Sequence, residues 1–119
     1  MAVSRISRNN LLQILDGIVK ERHDVMIKFY GNDCHLCHSL KDHYLHLSNQ
    51  YNDVNFYAFN MEDGAGIDSK YGFEGVPAIC MVNTGSKTTY TFMSEPEKPD
   101  KKSWYTLREI KTFIEENKR

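Results

Sequence analysis

The chain reads as an α/β sandwich, a mixed sheet with helices on both faces, and three observations predict it. Apolar runs of strand length at 25–30, 54–59 and 78–82 alternate with stretches whose apolar residues recur at helical spacing. The first run is apolar enough to be covered on both faces, as parallel strands are. The last leads through the turn Asn83-Thr84-Gly85-Ser86 into an alternating run, so a hairpin joins the sheet and makes it mixed.

In chain order, Asn9 or Asn10 is placed to cap a first helix, with Leu11, Leu12, Ile14, Leu15, Ile18 and Val19 as its apolar face. The charged run Lys20 to Asp24 stops it, and Val25 to Tyr30 is a strand interrupted by Lys28. From Cys34 the apolar positions Cys37, Leu40, Tyr44, Leu47 and Tyr51 predict a long helix, with His35, His38, Lys41, Asp42 and His46 mainly on its other side. Asn52-Asp53 breaks it, and the aromatic-rich run Val54 to Phe59 is the next strand. The glycine-containing segment 61–72 has room for one short helix, at Ile67 to Tyr71. Ala78 to Val82 and Lys87 to Phe92 form the hairpin, the second as an edge strand. A polar loop, Ser94 to Lys102, precedes a last helix whose Thr106 and Glu109 suit a capping box, with Leu107, Ile110, Phe113 and Ile114 facing inward.

At 119 residues the chain suits one domain, 1–119, large enough for a modest core. A formal net charge of −1 gives no electrostatic footing for nucleic acid or an anionic membrane. No apolar run approaches the roughly 20 residues that span a bilayer. Three cysteines, an odd number, speak against a secreted disulfide framework, and Met1 to Arg5 is followed by no apolar signal core. The expected setting is therefore the cytoplasm, where paired cysteines are more often catalytic or metal-binding than structural.

The stretch Gly31-Asn32-Asp33-Cys34-His35-Leu36-Cys37-His38 joins the first strand to the long helix. With the helix starting there, Cys34 lies at its positive end, where unpaired N–H groups favour an anion. A thiol in that place has a lowered pKa and supplies the thiolate that attacks disulfides. Cys37, one turn on, is a helical neighbour with which a disulfide can close after little movement. The pair reads as a reversible dithiol.

These residues resemble the thioredoxin superfamily. The resemblance is close from Val25 to Val82 and rests on strand–CxxC–helix, then Lys70-Tyr71-Gly72-Phe73-Glu74-Gly75-Val76-Pro77, then a hairpin and closing helix. It implies a thioredoxin-fold protein-disulfide oxidoreductase, reducing or exchanging protein disulfides, without a cofactor and as a monomer. It implies that Cys34 is the nucleophile, Cys37 the resolving thiol, and Pro77 a cis proline against the active-site disulfide. Val76 would offer its backbone to an extended substrate strand, as in β-augmentation. From the residues alone, Val76-Pro77 could equally be an ordinary strand start with no cis bond. The implied electron donor is a thioredoxin-reductase-like or glutathione-dependent system. Small divergent members also occur in bacteriophages, for which the setting would be the host cytoplasm.

Several positions depart from the family pattern Trp-Cys-Gly-Pro-Cys-Lys. Asp33 replaces the aromatic before the nucleophile and sets a negative charge beside Cys34, while His35 and His38, when protonated, act in the opposite sense. Histidine between the cysteines resembles the more oxidising members, so the expected reduction potential lies above the thioredoxin value of about −270 mV. Asp42 stands where a helix-kinking proline is common. Lys28 stands where the family carries a buried acid that accepts the resolving thiol's proton, and the lysine that commonly pairs with that acid falls at about Ala58. Two readings of Lys28 are open: a side chain that snorkels to the surface, or a partly buried lysine of depressed pKa beneath Cys37 that assists proton transfer or steadies its thiolate.

Two other functions compete. Cys34, Cys37, His43 and His46, with His35 and His38, supply enough ligands for zinc, but His43 and His46 lie more than one helical pitch from the thiols, too far to share one ion with both. A metal would then need a ligand from a second chain. A non-catalytic binding module, such as a clamp on a partner polymerase, would use the same fold, and the Ser94–Lys102 loop could give partner selectivity. Cys80, in a central strand, reads as a buried, unreactive hydrophobe.

Overall fold

The computed structural model describes residues 3–119. Met1 and Ala2, part of the N-terminal stretch read above for a signal and included in the 1–119 domain, lie outside the described residues. Five strands, β1 (Ser4–Arg5), β2 (Asp24–Tyr30), β3 (Val54–Asn60), β4 (Ala78–Asn83) and β5 (Thr89–Phe92), form one sheet in the order β1-β3-β2-β4-β5. β2 runs parallel to β3 and antiparallel to β4, so the sheet is mixed. Four α-helices accompany it: α1 (Arg8–Leu15), α2 (His35–Gln50), α3 (Ile67–Tyr71) and α4 (Leu107–Asn117).

The strands bury both faces because their side chains alternate between two cores. Met26, Phe56, Ile79 and Met81 pack with Leu40, Tyr44 and Leu47 of α2 and Ile110, Phe113 and Ile114 of α4. Ile27, Phe29, Phe59 and Cys80 pack with Leu11 and Leu15 of α1 and Ile67 and Tyr71 of α3. The central strand β2 is buried from Asp24 to Phe29, which explains its near-continuous apolar run. α4 begins with the expected capping box: Glu109 N–H donates to Thr106 Oγ1 and Thr106 N–H donates to Glu109 Oε1.

Three readings need correction. Ser7, not Asn9 or Asn10, caps α1; its hydroxyl accepts the Asn10 N–H. That helix ends at Leu15, and Gly17 at φ 77° turns the chain away, leaving Ile18 65% exposed instead of on an apolar face. Strand β1 was not predicted, because two residues are too few to show a period; Ser4 and Arg5 pair parallel with Tyr57 and Ala58.

Candidate active site

β2 ends at Tyr30, and the loop from Gly31 carries the chain into α2 at the carboxyl edge of the parallel strand pair. The loop is pinned from both sides. Buried Asn60 donates from Nδ2 to Asn32 Oδ1 at 2.8 Å, and the His38 ring lies 3.3 Å from the Asn32 carbonyl oxygen. Cys34 N–H donates to the Gly31 carbonyl, closing a turn that sets Cys34 as the N-cap of α2.

Cys34 and Cys37 are joined in a disulfide, with Cα atoms 5.2 Å apart. The two sulfurs are not equivalent. Cys34 is partly exposed, and its Sγ accepts the Cys37 N–H at 3.1 Å, one of the helix's otherwise unpaired donors. Cys37 is 3% exposed and faces the core side of α2. An external sulfur can therefore meet Cys34 and not Cys37.

Register brings Val76 and Pro77 to the same edge. Phe29 pairs with Ala78, so the residues before β4 lie across from the end of β2. The Val76–Pro77 peptide bond is cis. A Cβ placed on Gly31 would sit 3.7 Å from the Val76 side chain and 3.9 Å from Cys34 Cβ, so Val76 borders the cysteine loop. On its far side a groove of about 240 Å³ runs past Val76, Pro77, Phe73, Met93, Glu95 and Trp104. The polar loop 94–102 thus reaches this groove through Glu95, while Asp100 folds the loop back by accepting the Lys102 and Ser103 N–H groups.

Lys28 does not snorkel to the surface. It is 5% exposed, with Nζ 5.2 Å from the Tyr44 ring centroid and 5.7 Å from that of Tyr30. Its β2 register, opposite Ala58 and Ile79, points it toward α2, where the rings of Tyr44 and Tyr30 pack beside it. Burial pushes its ammonium down to about 8, and the charge of Lys41 adds to the effect. Lys28 and Cys37 line one pocket of about 320 Å³, together with Tyr30, Lys41, Tyr44 and Ala58.

His35 opens α2 and is exposed, as are Asp33 and His38. α2 runs unbroken past Asp42. Cys80 is fully buried, and burial raises its thiol far above the ordinary value. Among the described residues no three His, Cys, Asp or Glu side chains converge as a metal set, and no helix is long and apolar enough to cross a membrane. Sequence reasoning missed Asn60 and Tyr44. Asn60 shows in sequence only as a polar residue after an aromatic strand, its burial and its bond to Asn32 being tertiary, and Tyr44 is indistinguishable in sequence from any core position of α2.

A partly exposed cysteine at a helix cap, disulfide-bonded to a buried one beside a cis proline, defines a dithiol–disulfide protein. The Thioredoxin family model matches residues 9–102, and the chain belongs to the thioredoxin family. Solved structures agree on the fold. A thioredoxin of Malassezia sympodialis superposes with a TM-score of 0.71 at 14% identity, over 97% of this chain and 90% of that one. Chloroplastic thioredoxin z gives 0.69 at 12% identity, over 98% and 94%. A structure from work on the thiol-resolving mechanism of yeast mitochondrial 1-Cys peroxiredoxin via glutathione/thioredoxin systems gives 0.71 at 12%, over 97% and 95%. Family membership and a Cys34–Cys37 pair closed as a disulfide make thiol–disulfide oxidoreduction the family-level chemistry of this chain.

Proposed function

We propose that the protein reduces disulfide bonds of other proteins by two successive exchanges. The Cys34 thiolate attacks a substrate disulfide, forming a mixed disulfide and releasing one substrate thiolate. Cys37 then loses its proton and attacks Cys34 Sγ, expelling the second substrate thiolate and closing Cys34–Cys37. Two electrons pass from the dithiol to the substrate, and an external thiol-based donor restores the reduced pair. The observation that carries this reading is the unequal exposure of the two sulfurs, with Cys34 Sγ held on a helix N–H.

Lys28 takes the place of the proton acceptor in this scheme. As the neutral amine it accepts the Cys37 proton, and as the ammonium it steadies the thiolate; an ammonium held down to about 8 is suited to both near neutral pH. The Val76 backbone, beside Cys34 and at the mouth of the groove, is suited to align an extended substrate segment. His35, exposed next to Cys34, favours the reduced dithiol of this protein, and with it the disulfide-bonded substrate, more than a glycine would, so the potential is set above about −270 mV. No cofactor is called for, and a reducing cytoplasm is the matching compartment.

Insulin reduction followed by turbidity, with dithiothreitol as donor, tests the reading. The wild-type protein should accelerate precipitation and Cys34→Ser should not. Equal acceleration by Cys34→Ser, or none by the wild type, would favour a binding module. Equilibration of the same protein with glutathione buffers gives the potential, and a value at or below about −270 mV contradicts the role given to His35.

A further inference from the structure

The pocket beneath Cys37 is unusual in its charge. Its lining includes Arg5, Lys28 and Lys41 together with His38, and no Asp or Glu. Arg5 is already committed: its guanidinium holds Asp63 through three contacts of 2.8 to 3.0 Å. Lys28 is not. It is 95% buried by its 5% exposure, and among the described residues no carboxylate lies within ion-pairing distance of it. Its Nζ lies beside the rings of Tyr30 and Tyr44, and all three residues line the pocket.

An ammonium has three donors, and aromatic faces satisfy its charge without accepting all of them. A buried charge with no counter-ion is among the costliest arrangements in a protein interior unless a ligand supplies the partner. The cavity of about 320 Å³ can hold one small organic molecule. Its remaining walls, Tyr30, Tyr44, Leu45, Val3 and Ala58, offer apolar and aromatic surface. A hydrated inorganic anion would gain nothing from such walls, whereas a compact acid with an apolar body would use walls and lysine together.

We propose that this pocket binds a compact organic carboxylate, its anion paired with Lys28 and its apolar body held between Tyr30, Tyr44 and Leu45. Lys41, exposed near the pocket and close enough to depress Lys28, draws the same anion inward. Because Cys37 lines the pocket, the ligand would lie next to the resolving sulfur. The proposal does not rest on the exchange reaction, since binding is read in the resting disulfide form without turnover.

Benzoate titrated into the oxidised, full-length protein at constant ionic strength, followed by two-dimensional amide NMR, tests it. Saturable shifts are expected at Lys28, Tyr30, Cys37, Tyr44, Leu45 and Ala58, with a dissociation constant of about 1 mM or tighter. Phosphate at equal concentration should leave those signals unmoved. Lys28→Met, which keeps the unbranched stem, should weaken benzoate by about tenfold or more. Lys41→Glu, a change at an exposed position that does not endanger folding, should weaken it severalfold. Absence of saturable shifts, phosphate binding as tight as benzoate, or wild-type affinity in both variants would overturn the proposal. Any of these outcomes would leave the exchange reading standing, since that reading is tested on insulin reduction by the wild type and Cys34→Ser.

Discussion

At the scale of single residues, Lys28 has the largest physical consequences. A lysine that is 5% exposed and held down to about 8 destabilises the folded state wherever it is protonated. The unfolded chain keeps an ordinary lysine near 10.4, so between about pH 8 and pH 10.4 it binds more protons than the folded one. Stability from this group therefore rises with pH across that window, and the full penalty, on the order of 3 kcal/mol, is present below it. Lys28→Met should remove the penalty. Urea unfolding at pH 7 should show the variant more stable by about 1 to 3 kcal/mol, with the rise between pH 8 and pH 10.4 flattened. A variant less stable than wild type at pH 7 would show that the ammonium has a folded-state partner after all. The sequence marks Lys28 as an anomaly in an apolar strand, but burial depends on Tyr30 and Tyr44 packing beside it. That is a tertiary property no local pattern carries.

At the scale of elements, the strand and helix that carry the site are tied to the rest at points far from the sulfurs. Asp24, the buried first residue of β2, accepts from the Arg119 backbone N–H and guanidinium and from Asn83 Nδ2. Burial alone would raise its carboxyl, but these donors outweigh it and hold the group below its usual value. Tyr51, at the end of α2, donates to Glu115 on α4 and fixes the far end of the helix that Cys34 starts. A carboxyl whose folded value is depressed contributes stability above its unfolded pKa of about 3.9 and loses it as pH falls through the folded value. Asp24→Asn should cost about 2 kcal/mol at pH 7 and should unfold with a shallower acid slope below about pH 4, measured by circular dichroism. An unchanged acid slope would mean that other carboxylates carry it.

Element boundaries were legible where a physical signal is local. The α4 capping box, α2 starting at Cys34, and the five-residue α3 bounded by Gly66 and Gly72 at positive φ all fall where the residues place them. The end of α1 was not, because Ile18 and Val19 continue the apolar period past the point where Gly17 redirects the chain. β1 is legible only from its partner: its two residues exist as a strand because Tyr57 and Ala58 present an open edge.

At the scale of the whole molecule, the fold brings three separated segments to one edge. The cysteine loop after β2, Val76-Pro77 before β4, and Asn60 at the end of β3 meet because β2 lies between β3 and β4 in the sheet. The CxxC spacing and its apolar strand announce the first of these in sequence, and the family resemblance brings in the second. The third, a buried amide holding Asn32, emerges only once β2 and β3 are in register. The same topology gives the sulfurs their unequal exposure, since the first turn of α2 points Cys37 into the core and leaves Cys34 at the rim.

That inequality is the central claim, and trapping tests it most directly. Reduced Cys37→Ser protein, mixed with a disulfide-containing protein and quenched with acid, should hold a mixed disulfide on Cys34 by peptide mass spectrometry. Reduced Cys34→Ser protein, treated alike, should hold almost none on Cys37. Comparable trapping on Cys37, or no adduct on Cys34, would contradict the assignment of Cys34 as the attacking thiol.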